Sequence, residues 1–555
     1  MTRRACVTTP NETEVSDAVD VAMPRCDLVL ALGLAIATVL SRIPSRASLL
    51  PTWDAVQFAL ALERYDIVAH QPHPPGYILY VAAARIVDVF IGDPTASFVW
   101  LSIIASGGAV FFVYRLAWML YGRLAAAVAA VGLATSPLFW FYGEVGLPYA
   151  VEAALASMMG MLAWPARCGR GRAVVTSAAG LALAGGVRQS LLPLFFPLWA
   201  TTAWAGTRRL GPLAAGAALM AVTTASWLFP MLHLAGGTGA YLSASAELFD
   251  STVRATTVMA PDGAWLGNAR ALGEATVLGL GLLLPVLLWA AARAVRSGFG
   301  PRERFLLAWA LPPLVVYVWF HFGQYGYLLA ILPAVYIFIA PVLADRLAAR
   351  RVGHPIGVVA WTTLAAIALA HVGFVTAAGP GRVPQVAPGA RWVERQFADL
   401  RARYRYRLWS HTVRGLRETE AVIVAYTDAV RRHFAPAETV LVVELGNPRS
   451  YPWFRHATYY LRQFRTCHLR LPPWTPGFLD SAQLTSMAAR SEDRIVLGSG
   501  VRHLVWIVDS WNPRIPRPPG LRELPLARGR WLYVLDLDGR PVEHGGYHFV
   551  PSPRS

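Results

Sequence analysis

The sequence contains no lysine and few charged residues of any kind. Only 15% of its 555 residues are charged, whereas soluble domains usually contain about 25%. The mean hydropathy of +0.42 therefore indicates that a large part of the chain faces lipid, which excludes an ordinary soluble protein. The net charge of +17 lies on arginines in short loops between apolar runs, so it indicates membrane topology and not nucleic-acid binding.

Cysteine is also scarce, and none of the four cysteines forms a CxxC pair. The spacing predicts no metal site, and we expect no structural disulfide, because only Cys467 falls outside the cytoplasm and the membrane in the topology below. The polar N-terminal residues lack the basic, apolar and small-residue order of a cleavable signal peptide. We therefore expect a cytoplasmic tail at 1–26, followed by a retained membrane anchor.

Apolar runs of membrane-spanning length dominate the first two thirds of the chain. A transmembrane helix needs about 17 to 25 mainly apolar residues. About eleven such runs occur, near 27–46, 96–118, 124–142, 147–164, 173–188, 190–206, 210–232, 272–293, 304–320, 324–344 and 355–377. Every second loop between them is rich in arginine, so the positive-inside rule places these loops and the N-terminus in the cytoplasm. The sequence predicts a multi-pass α-helical membrane protein.

The opposite loops then lie on the outer face of the membrane. They comprise residues 47–95, 142–147, 233–271, 321–324 and everything after 378. This assignment requires that the apolar stretch 77–91 does not cross, since a crossing there would invert every later loop. The stretch is short and contains Arg85 and Asp88, so we expect a helix lying in the membrane interface.

The C-terminal part reads as a separate, small α/β domain on the outer face, at 391–555, after a linker rich in Pro, Gly and Ala at 379–390. A helix-like segment at 391–434 precedes three apolar, β-branched runs that predict buried strands. These runs are Thr439–Glu444, Leu504–Asp509 and Leu532–Leu537. We find no nucleophile motif, P-loop or metal box in this domain and assign it no reaction.

Arginines are frequent at the start of this domain, at Arg401, Arg403, Arg405 and Arg407. Basic side chains near a bilayer attract anionic lipid headgroups. A plain solvated surface explains the same residues equally well.

The first outer loop carries the most informative polar residues. They are Asp54, Glu63, Asp66, His70 and His73, all close to the predicted membrane surface. Partial burial of charge costs several kcal/mol unless the charge is paired, so such a group needs a partner or a function. An ordinary wet loop is the alternative interpretation.

Three further segments place polar residues at the same outer face. Glu144 lies at the end of one predicted span, and Glu152 lies two turns into the next. In the alternative, structural interpretation, Glu152 pairs with an arginine elsewhere in the chain. Arg188 falls near the outer surface, suited either to binding a phosphate or to snorkelling at a helix end. His321, Gln324, Tyr325 and Tyr327 form a late outer turn whose tyrosines an aromatic belt would also explain.

Positions far apart in the sequence thus converge on one surface of the membrane. Asp54, His73, Glu144, Arg188 and the turn at 321–327 all reach the outer face in a topology set by other residues. Convergent polar groups in one plane are what a site built between membrane spans requires.

The motifs in these loops resemble those of the GT-C class of membrane glycosyltransferases. An early aspartate followed by HPPGY at 73–77 is similar to the HPP-type loop of protein O-mannosyltransferase relatives in bacteria. The segment FWFYGEVGLPYAVEA at 139–153 and the turn GQYGYLLAILPA at 323–334 also resemble GT-C segments, and YPWFRHATYYL at 451–461 does so loosely. The resemblance covers about residues 30–380 well and the tail loosely.

The resemblance implies an inverting hexosyl- or pentosyltransferase in a bacterial inner membrane. Its donor would be a polyprenyl-phosphate-linked sugar, and its acceptor a glycan, a lipid or a protein, with no nucleic-acid partner. Asp54 would be the general base, Arg188 would neutralise the leaving phosphate, and His73 and Glu144 would orient the substrates. Further substrate contacts would come from Glu63, Asp66, Tyr77, His321, Gln324 and Tyr325.

Two points remain open in this resemblance. The sequence has WDA at 53–55 where the mannosyltransferases have two adjacent acidic residues, which puts a protein serine or threonine acceptor in doubt. No residue spacing indicates a cofactor, although a divalent metal remains possible.

Two other functions fit the same topology. A transporter or flippase of lipid-linked or envelope precursors would show inverted repeats and paired broken helices, and the sequence has neither. A cell-wall glycan polymerase or ligase with a lipid-diphosphate donor would differ mainly in its acceptor, so the sequence separates it poorly.

The predicted topology is testable with reporter fusions. A reporter active only outside the cytoplasm, inserted within residues 51–75, is expected to be active, because this loop follows the first span of a chain with a cytoplasmic N-terminus. A fusion in the loop at Arg208 and Arg209 is the inactive control. Activity in the second fusion alone would contradict the assignment.

Overall fold

The computed structural model describes most of the predicted membrane-embedded part and much of the C-terminal domain. The described residues are 23–260, 265–348, 355–377, 410–445, 455–471, 493–508, 511, 515–526 and 530–552. The predicted linker, the arginines at 401–407 and residues 391–409 of the helix-like segment lie outside them.

Helices make up the first two thirds of the chain. They are α1 (Arg25–Arg42), α2 (Trp53–Glu63), α3 (Ile78–Ile91), α4 (Pro94–Tyr121), α5 (Arg123–Thr135), α6 (Pro137–Tyr142), α7 (Tyr149–Arg167), α8 (Gly171–Val187), α9 (Leu191–Gly206), α10 (Leu210–Leu234), α11 (Thr238–Leu248), α12 (Trp265–Leu280), α13 (Leu284–Ser297), α14 (Pro301–Trp319), α15 (Leu332–Ala348) and α16 (Pro355–Ala377). A 3₁₀ segment, Tyr325–Ala330, precedes α15.

Several of these helices have the length and composition of membrane spans. Within the described residues, five helical segments are long and apolar enough to cross a bilayer. They are Arg25–Ser45, Pro94–Tyr121, Leu210–Leu234, Trp265–Ser297 and Val358–Ala377. The helices α5, α8 and α9 are apolar but shorter. The fold class of an α-helical membrane protein is confirmed, while the number and direction of crossings stay predictions.

Three predicted spans are not continuous helices. The run 124–142 is divided between α5 and α6 where Pro137 begins a new helix, because proline cannot donate the backbone hydrogen bond that continues a helix. The run 272–293 is divided by a 3₁₀ turn at Gly281–Leu283, where Gly281 adopts a φ of 51°. The run 324–344 begins as the 3₁₀ segment before α15.

The helix predicted to lie in the interface is short, as expected. Helix α3 has 14 residues, or about 21 Å of helix, which falls short of the hydrocarbon thickness of about 30 Å. Tyr80 and Ala84 face the protein interior, whereas Val89 and Phe90 are exposed. One apolar end of α3 is therefore available to lipid.

The C-terminal domain contains two sheets and a long helix, α17 (Val413–His433), with a short helix α18 (His456–Tyr460). The strands are β1 (Thr439–Leu445), β2 (Arg465–Arg470), β3 (Arg494–Leu497), β4 (His503–Trp506), β5 (Arg522–Leu526), β6 (Arg530–Asp536), β7 (Val542–His544) and β8 (Tyr547–Pro551). The five-stranded sheet has the order β2-β1-β4-β6-β5, and the three-stranded sheet has the order β3-β8-β7.

The three strands predicted from sequence are the three inner strands of the larger sheet. They correspond to β1, β4 and β6, whose apolar side chains are buried. Inner strands covered on both faces read as continuous apolar runs. Edge strands such as β5, with the sequence RELPL, carry no such run and were not predicted.

A buried polar contact joins the two sheets. His544 Nε2 of β7 lies 2.7 Å from Glu444 Oε1 of β1, and both side chains are almost fully buried. Because an unpaired polar group in this position would cost free energy, the pair holds the small sheet against the large one.

Candidate functional site

Asp54 lies in the first turn of α2, on the segment that follows α1. The side chain of Thr52 caps this helix by accepting a hydrogen bond from the backbone N–H of Ala55 at 3.3 Å. A carboxylate in the first helical turn is favoured by the positive end of the helix dipole. The sequence TWD therefore both begins the helix and orients the carboxylate.

The Asp54 carboxylate meets residues from two other segments. Gln324 Nε2 donates a hydrogen bond to Asp54 Oδ2 at 2.5 Å. Asp54 Oδ1 lies 4.0 Å from His73 Nδ1, and the side chain of Asp54 is only 16% exposed. The predicted convergence of residues 54, 73 and 324 is therefore present in the structure.

Burial is the largest cause of the pKa shifts of Asp54 and His73. Burial raises the pKa of Asp54 to about 6, although the Gln324 hydrogen bond and the charge of Arg188 act in the opposite direction. Burial, together with the charges of Arg188 and Arg455, lowers the pKa of His73 to about 3. At neutral pH the site therefore combines an aspartate carboxylate with a neutral imidazole.

The His73 ring is fixed by neighbours from α2 and by Tyr77, which immediately precedes α3. His73 Nδ1 lies 2.7 Å from Gln57 Oε1. Since this amide oxygen can only accept, Nδ1 carries the hydrogen and Nε2 keeps a free lone pair. The rings of Phe58 and Tyr77 lie 5.6 Å and 5.1 Å from the imidazole, so the imidazole is held against an aromatic wall.

Arg188 joins the same cluster through a buried ion pair. Its Nη1 donates to Glu152 Oε2 at 2.8 Å, and the two side chains are 8% and 0% exposed. The guanidinium carbon lies 4.0 Å from the centre of the Tyr327 ring and 5.8 Å from that of Tyr149. The partner expected for Glu152 in the structural interpretation is thus Arg188 itself.

His321 lies at the edge of this cluster. Its Nδ1 shares a hydrogen bond of 3.0 Å with the Thr256 hydroxyl, and its ring lies 6.0 Å from that of Tyr327. Burial lowers the pKa of His321 to about 4, with a further contribution from the charge of Arg188. We refer to Asp54, Gln57, His73, Tyr77, Glu152, Arg188, His321, Gln324 and Tyr327 as the Asp54 cluster.

Two carboxylates of the first loop lie outside the Asp54 cluster. Glu63 forms an ion pair of 2.5 Å with Arg462 of the C-terminal domain, and both side chains are about half exposed. Asp66 stabilises a turn by accepting from the backbone N–H of Ala69 and by pairing with Arg64. These contacts give both carboxylates partners away from Asp54, and their expected role as substrate contacts stays a prediction.

Glu144 has neighbours of its own. Its side chain is fully buried, and the residues that act on it electrostatically are Arg42 and Arg417. Burial raises the pKa of Glu144, although Ser45 and Arg42 favour the charged form. The geometry therefore associates Glu144 with the C-terminal end of α1 and not with Asp54.

Tyr325 faces away from its neighbour Gln324. Its hydroxyl donates a hydrogen bond to Glu274 of α12. Its ring stacks on His411 with a centre-to-centre distance of 5.0 Å and an angle of 16° between the planes. The residue contacts the C-terminal domain instead of the Asp54 carboxylate.

Sequence reasoning missed Gln57 and assigned no role in the site to Glu152. Gln57 is a polar residue within the apolar run of α2, three residues after Asp54. Residues separated by three positions share a helix face, so this spacing was the available signal. Within the described residues, no group of three or more His, Cys, Asp or Glu side chains is placed to hold a metal ion.

Comparison with known proteins identifies structural relatives but no sequence family. No protein-family model and no curated protein matches the chain. ArnT from Cupriavidus metallidurans bound to undecaprenyl phosphate has a TM-score of 0.54 and 15% identity, covering 91% of this chain and 97% of that chain. The apo structure of ArnT gives a TM-score of 0.52 at 16% identity, with the same coverage.

A third, weaker match is the archaeal oligosaccharyltransferase AglB from Archaeoglobus fulgidus, in complex with an inhibitory peptide and a dolichol-phosphate. Its TM-score is 0.42 at 13% identity, and the alignment covers 86% of this chain and 69% of that chain. The similarity to ArnT spans nearly the whole of both chains. The chain therefore has the GT-C fold that its motifs predict.

The Arg188–Glu152 pair leads to a stability prediction. Arg188→Met leaves the fully buried Glu152 without its partner, and loss of one partner of a buried pair costs about 3–5 kcal/mol. We expect a clearly lower Tm in detergent micelles. The double variant Arg188→Met, Glu152→Leu removes both charges and should recover much of this loss, while a single variant as stable as the wild type would contradict the prediction.

Proposed function

We propose that the protein transfers a sugar from a polyprenyl-phosphate donor to an acceptor on the outer face of a bacterial inner membrane. The acceptor would be a glycan, a lipid or a protein. The observation that carries this proposal is the Asp54 cluster. In it a largely buried carboxylate, a neutral imidazole and a buried guanidinium lie together on a GT-C fold. The undecaprenyl phosphate bound to ArnT supports a lipid-linked donor.

In this proposal Asp54 acts as the general base. The acceptor hydroxyl gives its proton to the Asp54 carboxylate as its oxygen forms a bond to the anomeric carbon. The bond between that carbon and the phosphate oxygen breaks at the same time, and polyprenyl phosphate leaves. Attack opposite to the leaving group inverts the anomeric configuration. Because the pKa of Asp54 is raised to about 6, the base is both ionised at neutral pH and stronger than an exposed aspartate.

Arg188 supplies positive charge where the phosphate develops negative charge. Its bond to Glu152 uses Nη1, so Nε and Nη2 are the nitrogens proposed to meet the phosphate. Glu152 holds the guanidinium in place, and Tyr327 supports its flat face. A fixed arginine fork suits phosphate because it needs no reorganisation during the reaction.

The remaining members of the cluster orient the substrates in this proposal. Gln324 holds Asp54 Oδ2, which leaves Oδ1 for the acceptor proton. His73 offers the unprotonated Nε2 as a hydrogen-bond acceptor for a sugar hydroxyl. Tyr77 and His321 form the aromatic sides of the site.

A transporter or flippase remains the alternative. It would bind a lipid-linked precursor in the same fold without breaking the bond to phosphate. The chemical role of Asp54 separates the two functions, since a carrier needs no general base.

The central prediction concerns Asp54→Asn in proteoliposomes. The donor is the lipid-linked sugar that accumulates in a strain lacking the protein, identified by mass spectrometry. We expect sugar transfer to fall by about 10²–10⁴-fold, with donor binding and expression unchanged. Asp93→Asn is the matched control, because the Asp93 side chain caps α4 away from the Asp54 cluster and asparagine caps a helix equally well. Wild-type transfer by Asp54→Asn, or no transfer by the wild type, would refute the proposal.

The pH dependence of transfer follows from the raised pKa. The base works in its ionised form, so kcat/KM is expected to fall as the pH decreases through about 6. Gln324→Leu removes a hydrogen bond that lowers this pKa, so the acidic limb should move to higher pH. A profile that is flat from pH 8 to pH 5 would exclude Asp54 as the base.

A further inference from the structure

The segment that leads into Asp54 is held by the C-terminal domain. Trp53 precedes Asp54 and is 6% exposed. Its indole belongs to the apolar core of the C-terminal domain, with Ile423 and Val430 of α17 and Val505 from the sheet. A residue of the first outer loop is therefore a core residue of a domain that begins more than 300 positions later.

The backbone before Trp53 is bound by the same domain. Glu420 of α17 accepts hydrogen bonds from the N–H groups of Ser48 and Leu49, at 2.5 Å and 3.1 Å. Arg417 donates to the other oxygen of Glu420 at 2.6 Å and to the carbonyl of Arg46 at 2.9 Å. A carboxylate fixed in this way stabilises one backbone path for residues 46–49.

Leu50 is held at both of its backbone groups. Its N–H donates to the Tyr460 hydroxyl at 2.9 Å, and its carbonyl accepts from His456 Nε2 at 2.8 Å. Tyr460 and His456 both belong to α18. The clamp on residues 48–50 therefore comes from two separate helices of the C-terminal domain.

The C-terminal domain also contacts Tyr325, which is next in sequence to the Asp54 partner Gln324. His411 stacks on Tyr325, which follows Gln324 in the sequence. The Asp54–Gln324 hydrogen bond thus has a C-terminal-domain contact beside each of its two partners, at Trp53 and at Tyr325. Successive helical residues point about 100° apart, so Trp53 can enter the domain while Asp54 faces the membrane helices.

We propose that the C-terminal domain positions the Asp54 carboxylate for catalysis, through Trp53 and the clamp on residues 48–50. This inference rests on the proposed function and adds a role for a domain that carries no catalytic motif. Trp53, Glu420 and His456 are positioning residues, since they act through Asp54. A displacement of the base by about 1 Å is enough to lower a rate by about a hundredfold.

The test compares Trp53→Ala with the wild type in the proteoliposome assay, using the donor identified in the deletion strain. Loss of the indole removes the anchor beside the base without touching the groups proposed to bind the donor. We expect kcat to fall by at least about tenfold, with the KM for the donor changed by less than about threefold. Glu420→Ala should give the same pattern, because it frees the backbone of residues 48 and 49.

The matched control is Arg462→Gln. This residue also links the C-terminal domain to the first outer loop, through its ion pair with Glu63. The pair is about half exposed and lies nine residues beyond Asp54, and exposed pairs contribute little to stability. We expect near wild-type kcat and KM.

The pH profile separates positioning from folding. If Trp53 keeps water away from Asp54, Trp53→Ala should move the acidic limb from about 6 toward the ordinary aspartate value of about 4. A variant that only folds poorly would lose active molecules and keep the limb where it is. Trp53→Phe retains an aromatic anchor and should restore most of the activity.

Each outcome decides the inference. Lower kcat with a shifted limb supports positioning. Unchanged kcat in Trp53→Ala and Glu420→Ala overturns the inference, and so does a loss of activity with an unshifted acidic limb. If Asp54→Asn is inactive in the same assay, the proposed function still stands. An active Asp54→Asn instead overturns the proposed function, and the inference with it.

Discussion

The hydrogen bond from Gln324 to Asp54 is the contact around which the Asp54 cluster is organised. It joins two segments separated by 270 positions at 2.5 Å. The Asp54 carboxylate is largely buried, and the amide donor favours its ionised form in this low-dielectric environment. The pairing also requires that the first loop and the turn after α14 lie on the same side of the membrane, so the topology and the site depend on each other.

The other buried charges of the Asp54 cluster also need partners. Arg188 and Glu152 are both buried and hydrogen-bonded to each other, since either charge alone would be costly. The arrangement leaves the pair neutral as a whole but keeps an arginine fork in one orientation. Two roles weighed separately from sequence, a phosphate ligand and a structural partner for Glu152, therefore belong to one residue in the proposed mechanism.

The C-terminal domain gives the first loop much of its structure. The loop supplies Trp53 to the core of the domain, and the domain satisfies the backbone of residues 48–50. The proposed reaction and the α/β domain are in this view parts of one structure.

The sequence alone determined what depends on local composition: the apolar helices, the three inner strands, the HPPGY loop and a short apolar helix at 78–91. These features follow from runs and periods that neighbouring residues encode directly. Only the tertiary structure decided that Gln57 holds His73, that Glu63 pairs with Arg462, that Glu144 associates with Arg42, and that Tyr325 meets His411. Such pairings join residues distant in sequence, and they depend on how helices and domains pack in three dimensions, which no local pattern encodes.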